Sequence, residues 1–200
     1  MTAGTDPESA EAAVLLLHGR DATAETILGM ASELHRPGLT FLAPQAPDGS
    51  WYPQSALAPA ESNEPQLSAS LATVEGTLSR AQDVGIPTDR TLLLGFSQGA
   101  CLASEFAARN PTRYGGVVAL SGGLLGDVVD AEAYDGDLSR TPAFFGCSDD
   151  DPHVPEERVH ASVDVYERLG ADVTARIYEG VGHSVTEDEL DALSTLVADL

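Results

Sequence analysis

The sequence of 200 residues contains no lysine, only two cysteines and no long apolar run. The longest uninterrupted apolar segment, A-A-V-L-L-L at 12–17, is far too short to span a bilayer, so no transmembrane helix is predicted. Cys101 and Cys147 show no metal-ligand spacing, and their small number is typical of free thiols in a reducing compartment. The composition therefore argues against a membrane-spanning protein, a disulfide-rich secreted domain and a zinc-binding domain.

Positive charge is also scarce. Ten arginines stand against 32 aspartates and glutamates, which gives a formal net charge of -22. Such a chain repels nucleic acid and anionic membranes, so neither is expected as a partner. Molar salt shortens the screening length to about 3 Å, and the composition therefore favours a salt-rich cytoplasm, as in an extreme halophile, over an acidic protein of an ordinary cell. The first residues, M-T-A-G-T-D-P-E-S-A-E, are acidic where a signal peptide would be basic, which also predicts a cytoplasmic location.

Strand-like and helix-like segments alternate along the chain. Short apolar runs that end at turn formers predict strands at 14–19, 39–44, 90–96, 115–122, 142–147 and 172–180. Helical spacing predicts helices at 22–35, 67–84, 98–109, 155–170 and 186–200. Residues 1–11 lack periodicity and are expected to form a mobile acidic lead-in to a single domain over residues 12–200. Six strands with intervening helices predict an α/β fold with a mostly parallel sheet covered on both faces, and ligands bind beyond the carboxyl ends of such strands.

Ser97 lies at the carboxyl end of one predicted strand, in R-T-L-L-L-G-F-S-Q-G-A-C-L-A. Gly95 and Gly99 permit a sharp turn into the next helix and leave the serine hydroxyl exposed at its apex, as in a G-x-S-x-G nucleophile elbow. The start of that helix supplies free N–H groups, including that of Gln98, for a developing oxyanion. The alternative is a tight turn whose serine only caps the helix.

A serine hydroxyl is a weak nucleophile and needs a general base. His183 follows the last predicted strand in a glycine-flanked loop and precedes the final helix, so it is the predicted base. The other histidines are interpreted differently: His18 frames a loop, His35 and His160 lie on helices, and His153 is a surface residue.

An orienting carboxylate would complete the set. The strand at 142–147 leads into S-D-D-D-P-H-V-P, which offers Asp149, Asp150 and Asp151. All three lie between the serine and the histidine in sequence, which is the chain order of the α/β-hydrolases. The residue pattern leaves the choice among them open, and two of the three are expected to be solvated loop acids or helix-start charges.

Taken together, the motifs resemble the phospholipase/carboxylesterase family of small α/β-hydrolases, which includes acyl-protein thioesterases and bacterial carboxylesterases. The resemblance runs from V-L-L-L-H-G-R to H-S-V and includes L-A-P-Q-A-P, S-W-Y-P-Q-S, N-E-P, G-F-S-Q-G-A, A-L-S-G-G-L and D-P-H-V-P. It implies a minimal α/β-hydrolase fold with Ser97 as nucleophile and His183 as base. It also implies Asp151 as the acid, because the family's aspartate directly precedes the proline of D-P-x-V-P.

The resemblance further implies an oxyanion hole formed by the backbone N–H groups of Gln98 and Arg20. Relatives often have a further glycine near the position of Asp21, and a carboxylate there would oppose developing negative charge unless it faces solvent. The S-W-Y-P-Q-S loop is expected to wall the acyl pocket through Trp51 and Tyr52. The alternative is that both rings pack beneath the loop as part of the core. Because no lid insertion is visible, an open pocket for short acyl chains is expected.

These expectations favour a carboxylesterase that hydrolyses short acyl esters of small molecules through an acyl-enzyme, without a metal or cofactor. A thioesterase acting on acylated proteins and a lysophospholipase-like activity are alternatives within the same chemistry. A non-catalytic binding protein is the alternative from another class, and the presence of all three triad residues argues against it. A dienelactone-type hydrolase would have a cysteine where Ser97 stands. The sequence leaves the oligomeric state, monomer or homodimer, open.

Overall fold

A seven-stranded sheet forms the centre of the molecule in the computed structural model, which describes residues 1–200. The strands are β1 Thr2–Gly4, β2 Ala12–Leu17, β3 Leu39–Leu42, β4 Thr91–Phe96, β5 Gly116–Leu120, β6 Pro142–Ser148 and β7 Asp172–Tyr178. Their order is β1-β3-β2-β4-β5-β6-β7, and every neighbouring pair is parallel except β1 with β3. The expected mostly parallel α/β sheet is confirmed, and the expected count of six strands is corrected to seven.

The additional strand comes from the segment expected to be a mobile lead-in. Thr2 pairs with Leu42 and Gly4 with Thr40 in antiparallel register, so residues 1–11 are not unstructured. Without this partner, β3 would be the edge of the sheet and would present a row of unpaired N–H and C=O groups. A three-residue strand has too few positions to show a period of two, which is why the sequence pattern did not predict it.

Helices cover both faces of the sheet. They are α1 Ala24–Leu28, α2 Ala31–Leu34, α3 Gln66–Asp83, α4 Gln98–Arg109, α5 Glu156–Arg168 and α6 Glu187–Ala198. Apolar side chains of α3, α4 and α5 pack with one face of the sheet, and those of α1, α2 and α6 pack with the other. Because both faces are covered, every residue of β2 and β5 is buried, as in the parallel sheets of α/β proteins.

One predicted helix is divided in two. The single helix expected at 22–35 is interrupted between α1 and α2, where the N–H groups of Gly29 and Met30 bond to the carbonyls three residues earlier, Thr26 and Ile27. Such bonds tighten the last turn of a helix, and glycine has a low helix propensity. None of the helices combines the length and the hydrophobicity that crossing a membrane requires.

Candidate active site

Ser97 occupies the sharp turn between β4 and α4. Its backbone has φ 55° and ψ -119°, a strained conformation for a residue with a side chain. A Cβ at position 95 would collide with the backbone of Gly99, and a Cβ at position 99 would collide with the carbonyl of Leu17 in β2. The two glycines therefore allow the turn to pack closely against the central strands, and they fix the position of the Ser97 hydroxyl at the carboxyl end of the sheet.

The imidazole of His183 lies next to this hydroxyl. His183 belongs to the loop between β7 and α6, and its Nε2 atom is 2.8 Å from Ser97 Oγ. Its Nδ1 atom is 2.7 Å from Asp151 Oδ2. An ionised carboxylate only accepts hydrogen bonds, so Nδ1 carries the proton and Nε2 is free to accept the hydrogen bond of the serine hydroxyl. This tautomer is the one that a general base acting on Ser97 requires.

Asp151 is held in place by its other oxygen. Oδ1 accepts hydrogen bonds from the backbone N–H groups of His153, at 2.8 Å, and Val154, at 3.0 Å. The Asp151 carboxylate is completely buried, whereas the His183 side chain is 20% exposed. Burial raises the pKa of Asp151, but the hydrogen bonds from His183 and from the two backbone N–H groups outweigh it and leave the pKa below its ordinary value. Asp151 is therefore ionised at neutral pH.

Two further rings enclose the imidazole. The centroid of Phe96, at the end of β4, lies 5.0 Å from that of His183. The exposed ring of His153 lies 4.8 Å from it in an edge-to-face arrangement. From the sequence, His153 is expected only as a surface residue. Its place in D-P-H-V-P, two residues after Asp151, was the available signal that it could contact the same histidine.

The two backbone N–H groups predicted to form an oxyanion hole lie at the same cavity as Ser97. The N–H of Arg20, just after β2, donates no hydrogen bond within the protein. The N–H of Gln98 is the first of α4, and the first N–H groups of a helix have no intrahelical acceptor. Asp21 has φ 58° and is exposed, and its N–H donates to the carbonyl of Gly49 at 2.9 Å.

Arg20 and Gln98 also hold the loop at 50–54 through their side chains. The Arg20 guanidinium donates to Ser50 Oγ and to the backbone carbonyls of Tyr52, Pro53 and Gln54, at distances between 2.7 and 3.2 Å. Gln98 Nε2 donates to the carbonyl of Tyr52 at 2.7 Å, and Gln98 Oε1 accepts the N–H of Trp51 at 2.9 Å. The side chains therefore fix one wall of the cavity to the elements that carry the two free N–H groups.

The cavity above Ser97 has a volume of about 680 Å³. Tyr52 lines it, as expected from the sequence, but Trp51 does not, and the expectation is corrected for that residue. The Trp51 ring lies beneath the loop in the main core, where its indole N–H donates to the carbonyl of His18 at 2.8 Å. Both rings are buried in the same core cluster, and of the two only Tyr52 also borders the cavity.

Asp149 and Asp150 are the other two acids of the loop after β6. Both are exposed, but neither is only a solvated charge, because each accepts a hydrogen bond from a backbone N–H of the loop that carries His183.

The structure places no group of three or more histidine, cysteine, aspartate or glutamate side chains where it could hold a metal ion. Cys147 is a buried thiol near Asp151, and burial together with that neighbouring charge raises its pKa to about 12.

Comparison with known proteins decides the family. A model of the phospholipase/carboxylesterase family matches residues 4–199. The chain belongs to the phospholipase/carboxylesterase family. A phospholipase/carboxylesterase of solved structure from Dyadobacter fermentans is similar to it, with 38% sequence identity and a TM-score of 0.95 over 99% of this chain and 95% of that chain. Family and structure together establish the α/β-hydrolase fold that the sequence predicted.

Two acyl-protein thioesterases are also similar to part of the chain. Acyl-protein thioesterase 1 of Saccharomyces cerevisiae is 32% identical over 130 residues, which are 64% of this chain and 57% of that protein. Acyl-protein thioesterase 1 of Gibberella zeae is 34% identical over 117 residues, which are 58% of this chain and 50% of that protein. The chain thus spans about half the length of the curated relatives that it matches.

Proposed function

We propose that this protein is a serine hydrolase of carboxylic esters, with Ser97 as nucleophile, His183 as general base and Asp151 as the orienting acid. One observation carries the proposal. The hydroxyl of Ser97 is 2.8 Å from His183, whose other ring nitrogen is 2.7 Å from a buried and ionised carboxylate, all beside an open cavity. Membership of the phospholipase/carboxylesterase family supports the same reaction class.

The first half of the reaction forms an acyl-enzyme. His183 Nε2 takes the proton of the Ser97 hydroxyl while Oγ attacks the ester carbonyl carbon, and the carbonyl oxygen becomes an oxyanion. The N–H groups of Arg20 and Gln98 stabilise that charge; removing one such donor typically costs about 100- to 1000-fold in rate. The tetrahedral intermediate then expels the alcohol, whose oxygen receives the proton from His183 Nε2.

The second half releases the acid. Water enters the place that the alcohol has left, His183 Nε2 takes one of its protons, and the oxygen attacks the acyl carbon. When this intermediate collapses, the bond to Ser97 Oγ breaks and the proton returns from His183 to the serine. Asp151 stays ionised throughout, because its low pKa keeps it as the acceptor for Nδ1–H while the imidazole is positively charged.

The cavity favours small acyl substrates. A volume of about 680 Å³ lies within the usual range for small-molecule sites. Tyr52, Phe96 and Val154 supply apolar surface to its lining. The Arg20 guanidinium is engaged with four oxygen acceptors of the loop and has little capacity left for an anionic substrate group. We therefore propose short, uncharged acyl esters as the substrate class.

Acyl thioesters are the second candidate, because the acyl-protein thioesterases of two fungi are more than 30% identical to this chain over their matched segments. The discriminating experiment compares kcat/KM for p-nitrophenyl esters of two to twelve carbons with that for acyl thioesters of the same chain lengths. We expect the highest kcat/KM for esters of two to six carbons, and no activity above background in Ser97→Ala. A maximum on long-chain thioesters would favour the thioesterase, and an inert wild-type protein would contradict both.

A further inference from the structure

The loop that carries His183 depends on other residues for its position. Between the end of β7 and the start of α6 it forms no helix or strand, and it contains Gly180 and Gly182, both with φ 67°. Glycine adopts this left-handed region without steric strain, and the same freedom gives the unfolded loop many accessible conformations. In the folded protein, one conformation places the imidazole between Ser97 and Asp151. The hydrogen bonds of the loop explain how that conformation is selected.

Three successive residues at the end of β6 accept the backbone N–H groups of this loop. Asp149 Oδ1 accepts the N–H of Gly180 at 2.9 Å. Ser148 Oγ accepts those of Val181 and Gly182, at 3.0 and 3.1 Å. Asp150 Oδ1 accepts that of Gly182 at 2.8 Å. The residue that follows these acceptors is Asp151, and it binds the side chain of His183.

The acceptors are themselves connected. The buried Ser148 hydroxyl lies 2.7 Å from Asp150 Oδ1 and 3.1 Å from the carbonyl of Tyr178, the last residue of β7. The Ser148 hydroxyl and the N–H of Gly182 lower the pKa of Asp150, so its carboxylate is ionised at neutral pH and remains an acceptor. Parallel pairing of β6 with β7 brings Ser148 opposite Tyr178, which sets the starting point of the loop.

We propose that Ser148, Asp149 and Asp150 are positioning residues for His183. They hold the backbone of residues 180–182 so that the imidazole meets Asp151 and Ser97 together; the inference rests on the proposed function. The acids on either side of Asp150 bind to successive parts of the same loop, so a displacement of the loop would separate His183 from Asp151. A misplacement of about 1 Å in a catalytic group can cost on the order of 100-fold in rate.

The experiment compares four variants with the wild-type protein on one p-nitrophenyl ester. Ser148→Ala and Asp150→Ala each remove an acceptor, and we expect kcat to fall about 10- to 100-fold with KM changed less than about twofold. Asp150→Asn keeps an oxygen that can accept both hydrogen bonds, and it should recover most of the rate lost in Asp150→Ala. Glu179→Ala is the matched control, because Glu179 is an exposed acid of the same loop whose side chain has no hydrogen-bond partner in the protein.

A spectroscopic signature separates positioning from general stability. The proton on His183 Nδ1, bonded to Asp151, should give a downfield proton resonance that is lost or shifted in Ser148→Ala and Asp150→Ala and kept in Glu179→Ala. If Ser148→Ala fails to fold, Asp150→Ala decides, since that side chain is exposed and its loss leaves the core intact.

Failure of the positioning role can be distinguished from failure of the proposed hydrolase activity. Wild-type hydrolysis that is lost in Ser97→Ala supports the proposed function whatever the loop variants do. With that result in hand, Asp150→Ala at wild-type kcat with an unchanged resonance would overturn the positioning role. Equal losses in Asp150→Ala and Asp150→Asn would also overturn it, because charge rather than hydrogen-bond acceptance would then be responsible. An inactive wild-type protein would overturn both.

Discussion

His18 shows how a buried ionisable residue can support the site without taking part in the chemistry. Its side chain is completely buried at the end of β2. Nδ1 lies 2.7 Å from the carbonyl of Gly19, and Nε2 accepts the N–H of Ala46 at 3.1 Å, which requires a neutral ring. Burial lowers the pKa of His18 below its ordinary value of 6.5. These contacts agree with the expectation from the sequence that His18 helps to frame a loop.

This lowered pKa predicts a specific loss of stability in mild acid. The unfolded chain binds a proton at His18 as the pH falls through 6.5, whereas the folded protein resists it. The contribution of His18 to the free energy of unfolding is therefore fully present above pH 6.5. Below that pH it decreases by at most about 1.4 kcal/mol per pH unit. Urea unfolding between pH 8 and pH 5 should show the decline, with a smaller slope in His18→Gln. The control is His35→Gln, which replaces an exposed histidine, and an equal change of slope in both variants would contradict the assignment to His18.

Asp151 gives the second prediction at this scale. Asp151→Asn should lower kcat by about 100- to 10,000-fold, because the amide no longer stabilises the imidazolium and favours the wrong tautomer of His183. KM for a p-nitrophenyl ester should change little, since Asp151 is buried behind the histidine and does not line the cavity. A variant with kcat within tenfold of the wild-type value would remove Asp151 from the proposed triad.

At the scale of elements, the contact between α4 and β2 determines where the nucleophile lies. The helix begins at Gln98 directly after Ser97, and position 99 has no room for a side chain against the Leu17 and His18 carbonyls. Gly99→Ala should therefore lower the free energy of unfolding by about 1–3 kcal/mol or more, as overpacking does elsewhere. It should also lower the rate of ester hydrolysis, because the helix must move away from the sheet together with Ser97.

Gly76→Ala is the matched control for that prediction. Gly76 is an exposed glycine inside α3, and a Cβ there meets nothing within 4 Å. The substitution should raise the free energy of unfolding by about 0.5–1 kcal/mol through helix propensity and leave activity unchanged. Thermal or urea unfolding of the two variants gives the comparison, and equal effects would contradict the steric explanation.

The elements that the sequence predicted well are those whose signal is local. The strands β4 and β6 and the helix α4 each combine a continuous apolar run with a marked boundary, and they begin or end within about a residue of the expected positions. Ser97 could be singled out because it directly follows β4, and His183 because it lies in a glycine-flanked loop between the last strand and the final helix. Asp151 needed the resemblance to the family, since nothing in S-D-D-D distinguishes one carboxylate from another.

The features that could not be predicted depend on tertiary contacts. β1 is a strand through its pairing with β3, about 40 residues away, and no pattern within residues 2–4 indicates that pairing. Asp149 and Asp150 resemble ordinary surface acids until the loop at 180–182 folds over them. The orientation of Trp51 is set by a carbonyl far away in sequence, that of His18. In each case the partner is distant along the chain, which composition and periodicity do not report.

At the scale of the whole molecule, negative charge dominates. Four arginines form ion pairs with carboxylates, namely Arg109, Arg140, Arg168 and Arg176, which leaves most of the 32 acids without a cationic partner. Folding brings this excess of like charge together, and the resulting repulsion opposes the native state. We propose that the protein is adapted to a salt-rich environment, in which that repulsion is screened.

The proposal predicts a steep dependence on salt. Raising KCl from 20 mM to about 1 M should increase both Tm and ester hydrolysis, because the screening length falls from tens of ångströms to about 3 Å. Most of the gain should be complete by about 1 M if screening is responsible, whereas salting-out would continue to add stability at higher concentrations. Full activity with an unchanged Tm in 20 mM buffer would contradict adaptation to salt and would leave the proposed esterase activity unaffected.

The most direct test of the account is whether Ser97 is an activated nucleophile. A fluorophosphonate probe reacts with a serine hydroxyl whose proton is taken by a neighbouring base. Intact-mass analysis followed by peptide mapping should show one adduct per chain, located on Ser97 and absent in Ser97→Ala. The rate of labelling should fall strongly in His183→Ala, because Nε2 at 2.8 Å is the base that activates the hydroxyl. Labelling that persists at the wild-type rate in Ser97→Ala would place the reactive group elsewhere and contradict the proposed function.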